Sequence, residues 1–429
     1  MSDTTTRRGR RTIARHGRLR ARNPFAWILR VVGIALACVL VAGLGTAAYA
    51  TWDLSRTFGA DAQALEGQES EAPDIGSLVA TKGVDLLLTG IDVCEWDSHE
   101  KFGDRCPKNE SAYGEDGRQL DAGLNDVNLL VHISPEPRKV TVTAFPRDLM
   151  IPTPECTNQK TGTVSSATER DQLNNAYAKG ELACVAKTID TLTTPYDADL
   201  AIDYAATVTW NGVIEITNAI GGVDVCVAET IDDVEAGMLH LEGGQTHTLV
   251  GEQALAFLRS RHGVGDGGDL GRISNQQIYM SSLVRKLTSE GVLTNPGTLL
   301  SLARTALSNV DPSASLANPV TLVQIAMAAK EVPLENFVFL QYPAVTDPYD
   351  ENRVAPNYDE AAKLFQMIAA NDEIAPTGTY LQETEAPAVP SDEPVDPNAT
   401  AGPTDTAAPV ETPEVVGRNA TDESCASGR

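Results

Sequence analysis

Val84-Asp85-Leu86-Leu87-Leu88-Thr89-Gly90-Ile91-Asp92 is a short apolar run that closes on a glycine and an aspartate. Apolar residues at consecutive positions mark a strand buried in the middle of a sheet. Downstream, a second run from Val127 to Ile133 is followed by Ser134-Pro135-Glu136-Pro137. Then comes Lys139 to Ala144, where Val140, Val142 and Ala144 alternate with polar positions. This pattern predicts two strands joined by a turn. Thr207 to Ile220 reads as a helix stopped by Gly221-Gly222, and Val223 to Val227 alternates as a strand. Gly251 to Leu258 places Ala254, Leu255 and Leu258 on one helical face, and Ile273, Met280, Val284 and Leu287 form another stripe. Pro296 to Leu307 and Pro319 to Ala329 read as further helices. Alternating strands and helices predict an α/β sandwich with helices covering a mixed sheet.

Upstream of this domain the chain changes character. Its formal charge is -26, yet residues 1–30 carry nine Arg against Asp3 alone, so the two parts face different surroundings. Val31 to Tyr49 is an uncharged run of 19 residues. That is close to the ~20 needed to cross a ~30 Å hydrocarbon core. The arginines before it predict a cytoplasmic N-terminus and an extracytoplasmic remainder, a type II single-pass protein of the cell membrane. Ala48-Tyr49-Ala50 also resembles a signal-peptide cleavage site, but the long basic lead and the full-length apolar run favour an anchor. A short basic lead set against a membrane span does not read as a nucleic-acid binder. The boundaries that follow are a basic lead at 1–30, a transmembrane helix at 31–52, a stalk at 53–80 and a catalytic domain at 81–382. A Pro/Thr/Glu-rich tail at 383–429 is too poor in large apolar residues to offset its ordering entropy.

Cys38 lies in the predicted span, leaving Cys94, Cys106, Cys156, Cys184, Cys226 and Cys425 in an oxidising compartment. Cys94 to Cys106 is the expected local pair, and the other four stay unassigned. Cys425 is the one tail residue expected to tie back to the domain. No CxxC or Cys/His zinc spacing is present.

Covalent catalysis has few candidates here, since no G-x-S-x-G elbow occurs and the scattered histidines have no obvious nucleophile beside them. What concentrates at element ends is Asp92, Asp126, Arg147-Asp148, Arg259, Arg261 and Arg272. Arg259 and Arg261 point about 200° apart on a continuous helix, so serving one ligand requires the helix to end near Ser260. His262-Gly263-Val264-Gly265-Asp266-Gly267-Gly268 follows as a glycine-rich loop able to approach a ligand. A new helix then carries Arg272 and Gln276 one turn apart near its N-terminus. Singly, each arginine has the plainer reading of a surface ion-pair partner, and each aspartate that of a cap. Together they describe a site for a multiply charged oxyanion such as a diphosphate.

Beyond Val84 to Asp92, further segments repeat a recognisable order. They are Asn125-Asp126, Phe145-Pro146-Arg147-Asp148, Leu173-Asn174-Asn175-Ala176-Tyr177, Gly221-Gly222-Val223, the run from Gly251 to Arg261, and the run from Asp269 to Gln277. Across roughly residues 80–290 this series resembles the LytR-CpsA-Psr proteins, cell-envelope phosphotransferases. The resemblance implies an α-β-α fold with an apolar cleft for a polyprenyl chain. It implies that Asp92 and Asp126 hold Mg2+, and that Arg147, Arg259, Arg261, Arg272 and Gln276 bind the diphosphate. The implied chemistry carries a glycopolymer from a polyprenyl-diphosphate carrier to a hydroxyl of peptidoglycan or a surface glycoprotein. Where the family usually has Arg-Ser-Asp-Thr, this chain has Leu124-Asn125-Asp126-Val127, keeping only the aspartate. Gln172 also stands where a Lys is common. A non-catalytic binder of lipid-linked glycan and a polyprenyl-diphosphate pyrophosphatase are the competing readings.

Overall fold

The computed structural model describes residues 62–66, 74–120, 123–265, 267, 269–289, 305, 308–330, 332–377 and 414–428. The predicted basic lead and membrane span, and nearly all of the helix expected at 296–307, lie outside the described residues. Among the described residues, no helix is long and apolar enough to cross a membrane.

The sheet is organised around β1, Val84–Ile91, whose first four residues are all buried. β2 (Asn125–Ile133) and β3 (Val140–Phe145) follow as an antiparallel pair. β4 (Tyr204–Val208) runs parallel to β1 on its other side. Four strands, β5 (Val223–Val227), β6 (Ile231–Asp233), β7 (Leu239–Leu241) and β8 (Gln245–Leu249), make two small hairpin sheets. β9 (Val310–Pro312), β10 (Phe337–Gln341) and β11 (Gly417–Asn419) complete the main sheet. Its order is β9-β4-β1-β2-β3-β10-β11, a seven-stranded mixed sheet. The consecutive apolar residues of β1 are explained by this central position, since both of its faces are covered.

Among the described residues, seven α-helices pack around the sheet. α1 (Ile75–Thr81) and α6 (Pro319–Lys330) cover one face of the sheet through Ile75, Val79, Ile325 and Ala328, packed with Leu86, Val142 and Phe339. α2 (Ala176–Thr193) and α7 (Tyr358–Ala369) cover the other, where Val185, Ile189, Leu364 and Phe365 pack with Leu87, Leu130 and Leu340. α3 (Trp210–Ala219), α4 (Gly251–Arg259) and α5 (Asp269–Ser289) extend the first layer, and residues of α4 and α5, with Ile220 at the C-cap of α3, join a third apolar cluster with β5 to β8.

Three boundaries differ from the sequence reading. Thr207 to Ile220 is not one helix. Thr207 and Val208 end β4, and the Thr209 hydroxyl then accepts the Gly212 N–H at 3.1 Å to start α3. The polar stretch 53–80 is not wholly a stalk, because Leu65, Ile75 and Val79 are buried in the domain and Asp74 caps α1. Residues 414–428 of the predicted tail are built into the domain, where β11 pairs with β10 and Val415, Ala420 and Ala426 are buried. Backbone pairing and small apolar side chains suffice for this without large hydrophobic residues. Disulfides join Cys94 to Cys106, Cys156 to Cys184, and Cys226 to Cys425.

Candidate functional site

A cavity of about 540 Å³ opens where the parallel strands β1 and β4 end. Such strand ends are the usual place for ligand crevices in α/β sheets. Its apolar walls include Leu129 of β2, Val213 and Ile216 of α3, Leu255 and Leu258 of α4, and Met280 of α5. Asp126, Arg147, Arg259, Arg261, Arg272 and Gln276 line it as well. Thus six of the seven predicted site residues meet at one cavity, and Asp92 stands just behind it.

Helix α4 ends at Arg259, and Ser260 is its C-cap with extended ψ, so Arg259 and Arg261 do converge on one space. The Arg259 guanidinium lies over the Trp210 ring, 4.0 Å from its centroid. Burial, followed by the charge of Arg105, pulls Arg259 down to about 10. Arg147 Nη1 donates to Asp126 Oδ2 at 2.8 Å, and its Nε lies 3.5 Å from both Asp148 and Asp269. Arg272 Nη2 donates to the Asp126 carbonyl at 2.8 Å and lies 2.7 Å from Asp269 Oδ1. Arg261 is less firmly held, 3.9 Å from Asp148. Burial and the charge of Arg147 lower its pKa. The Nε groups of Arg147, Arg261 and Arg272 are buried without a hydrogen-bond partner among the described residues. Unsatisfied guanidinium donors at a cavity surface favour an anion with several oxygens. Gln276 Nε2 donates to the Leu258 carbonyl at 3.0 Å and so also links α5 to α4.

Asp92 and Asp126 were the expected metal-associated acids. Asp92 Oδ1 accepts the Leu124 N–H, and burial raises the Asp92 carboxyl, with the Asp126 charge adding to the rise. Asp126 Oδ1 is buried with no hydrogen-bond partner among the described residues. No group of three or more His, Cys, Asp or Glu side chains there forms a ready metal cage. Mg2+ needs less than that, because it binds through one or two carboxylates plus water and substrate phosphate. An orphaned carboxylate oxygen beside a second acid fits such an ion.

The glycine-rich loop behaves differently from expectation. The backbone N–H groups of Arg261, His262 and Gly263 and the Ser260 hydroxyl all approach Asp233 Oδ2, at 2.8 to 3.3 Å. Burial alone would raise the Asp233 carboxyl, but these donors hold it below its ordinary value. The start of the loop therefore wraps the chain's own carboxylate and sets the direction of Arg261. Asp148, Asp233 and Asp269 position the arginines; Asp148 was singled out in the sequence beside Arg147, whereas Asp233 and Asp269 were not among the predicted site residues. The Asp269–Arg272 spacing of one helical turn was a usable signal for Asp269. Trp210 and Arg105, also in the cavity lining, gave no such signal.

A sequence profile described as the LytR_cpsA_psr family matches residues 60–369. The cell wall biosynthesis protein LcpA of Corynebacterium glutamicum is 27% identical over 69% of this chain, which spans 58% of LcpA's length. The polyisoprenyl-teichoic acid--peptidoglycan teichoic acid transferase TagU of Enterococcus faecalis is 24% identical, over 62% of this chain and 72% of TagU. The crystal structure of protein gbs0355 from Streptococcus agalactiae is similar in fold, with TM-score 0.52 and 21% identity over 71% of this chain and 93% of that one.

Proposed function

The chain belongs to the LytR-CpsA-Psr family, and on that premise we propose that it is a cell-envelope phosphotransferase. It moves a glycopolymer from a polyprenyl-diphosphate carrier to a hydroxyl of peptidoglycan or a surface glycoprotein. The observation that carries this reading is a single cavity joining apolar walls to several guanidinium groups with unsatisfied donors. The cell wall biosynthesis role of LcpA and the teichoic acid transfer by TagU support an envelope polymer as the cargo.

In this reaction the acceptor oxygen attacks the sugar-bearing phosphorus, forming a new P–O bond. The bond from that phosphorus to the bridging oxygen breaks, and polyprenyl phosphate departs. The acceptor's proton ends on that phosphate or in water. Arg147, Arg261 and Arg272 bind non-bridging oxygens, supplying the positioning and charge stabilisation that phosphoryl transfer chiefly needs. Arg259 is held by Trp210 at a second angle to the same space. Leu129, Val213, Ile216, Leu255, Leu258 and Met280 take the first isoprene units, at roughly 0.8 kcal/mol per CH₂ withdrawn from water. Asp92 and Asp126 would hold Mg2+, which supplies charge shielding on the diphosphate when bound.

We propose also that the domain lies outside the cell membrane on a type II anchor at residues 31–52. The arginine-rich lead supports that orientation, and three disulfides support an oxidising compartment. Incubating the full chain in detergent with a polyprenyl-diphosphate glycan and a peptidoglycan acceptor tests the reaction. The expected product is acceptor-linked glycan phosphate together with polyprenyl phosphate. Release of free glycan phosphate without transfer would point instead to a pyrophosphatase.

A further inference from the structure

Two of the guanidinium groups lining the cavity stand outside its ion-pair network. Arg147 and Arg272 are held by Asp126, Asp148 and Asp269. Arg259 makes no ion pair among the described residues and rests on an aromatic ring instead. Next to it stands Arg105, near enough that its charge adds to burial in lowering Arg259. Arg105 lines the same cavity, is exposed, and donates from Nη2 to the backbone carbonyl of Glu235 across from it. It has no ion-pair partner among the described residues either.

Arg105 comes from the insert between β1 and β2, which is a built unit. Cys94, Cys106 and Tyr113 form its small core, with Trp96 and Phe102 packed against them. Trp96 stacks on His99 at 4.3 Å, and the Tyr113 hydroxyl donates to the Pro107 carbonyl at 2.7 Å. The insert is fastened to the site by Phe102, whose ring lies 5.1 Å from that of Trp210, and by Glu95, which accepts the Thr209 hydroxyl at 2.9 Å. Arg105 immediately precedes Cys106, so the Cys94–Cys106 bond fixes the backbone from which its guanidinium reaches the cavity.

Two neighbouring guanidinium groups, neither in an ion pair, repel each other, and an oxyanion between them offsets that repulsion while accepting charge-assisted hydrogen bonds. We infer that Arg105 is a diphosphate-binding residue of this chain, acting beside Arg259 and held in place by the Cys94–Cys106 disulfide. This rests on the proposed function and adds a ligand contact from outside the motif segments.

The test is equilibrium binding of geranylgeranyl diphosphate, inorganic diphosphate and geranylgeraniol to the full chain in detergent. Arg105→Gln should weaken both diphosphates about tenfold or more, as expected for losing a charge-assisted hydrogen bond. Geranylgeraniol should bind it as it binds wild type. Arg105→Lys should recover part of the loss, which a merely misfolded insert would not allow. A Cys94→Ser/Cys106→Ser double variant should lose a similar factor, and adding Arg105→Gln to it should cost little more. Wild-type diphosphate affinity in Arg105→Gln overturns this inference alone, as does an equal loss of geranylgeraniol binding. If wild type itself binds no prenyl diphosphate, the proposed function falls with it.

Discussion

Asp269 Oδ1 lies 2.7 Å from Nη2 of Arg272, one helical turn along α5, and both side chains are almost fully buried. The same carboxylate accepts the Arg147 backbone N–H at 3.3 Å and lies 3.5 Å from Arg147 Nε. A single acid thus orients two of the cavity's guanidinium groups. Asp269→Asn leaves both under-compensated, and removing one partner of a buried pair costs about 3–5 kcal/mol. Thermal melting should fall by several degrees and diphosphate affinity should fall with it. An unchanged melting temperature would contradict this role.

Arg261 sits at the cavity with its Nε unsatisfied and its nearest acid 3.9 Å away. It is therefore freer to bind a ligand than Arg272, and contributes less to the fold. Arg261→Ala should weaken prenyl-diphosphate binding roughly tenfold to a hundredfold, from ~1.5–3 kcal/mol per charge-assisted hydrogen bond. Calorimetric titration gives the affinity, and circular dichroism checks that the fold persists.

How far the sequence could be read depended on how local the cause was. β1 was visible because consecutive apolar residues need two covered faces, and the break after Arg259 was visible because two arginines two residues apart cannot share a ligand on a continuous helix. Leu65, Ile75 and Val79 were hidden, since their partners in the domain lie far along the chain. Asp233 reads as an ordinary strand residue until folding brings it to the amides of residues 261–263. Arg105 was hidden for the same reason: its insert has no regular pattern, and only the disulfide and the Phe102–Trp210 contact carry it to the cavity. In the tail, composition alone could not show that β11 gains its partners from the edge of an existing strand.

The Cys226–Cys425 bond closes a separation of 199 residues and holds the returning tail against β5, beside buried Ala426. Replacing both cysteines by serine should cost about 2–5 kcal/mol, the usual range for a native disulfide. Denaturant unfolding measures this, and protease cleavage near residue 420 should become faster. Equal stability would mean that β11 pairing alone secures the tail.

Asp190 accepts the Ile202 N–H at 3.0 Å, yet burial raises its carboxyl to about 6, with Asp85 and Asp203 adding to the rise. The unfolded value is about 3.9. The folded state therefore binds more protons between these values, and stability declines as pH rises from roughly 4 to 6. Above that window the penalty amounts to about 3 kcal/mol at most. Asp190→Asn keeps an oxygen for Ile202 and removes the charge. It should melt higher than wild type at pH 7.5 and the same at pH 4, as differential scanning calorimetry would read. A lower melting temperature at pH 7.5 would reverse the sign of this account.

The central claim is that the cavity transfers rather than merely holds its ligand, and Asp126 separates the two. Its Oδ2 orients Arg147, while its buried Oδ1 has no hydrogen-bond partner among the described residues. Interactions needed in the transition state lower turnover when removed, more than they lower ground-state binding. The decisive measurement compares wild type and Asp126→Ala, in the full chain, for both polyprenyl-diphosphate-glycan affinity and transfer rate to a peptidoglycan acceptor across a magnesium titration. The account predicts that affinity falls by no more than about tenfold, sustained by the arginines, whereas transfer falls by a hundredfold or more. Equal transfer by the two proteins, or a wild type that binds the carrier and never turns over, would contradict it.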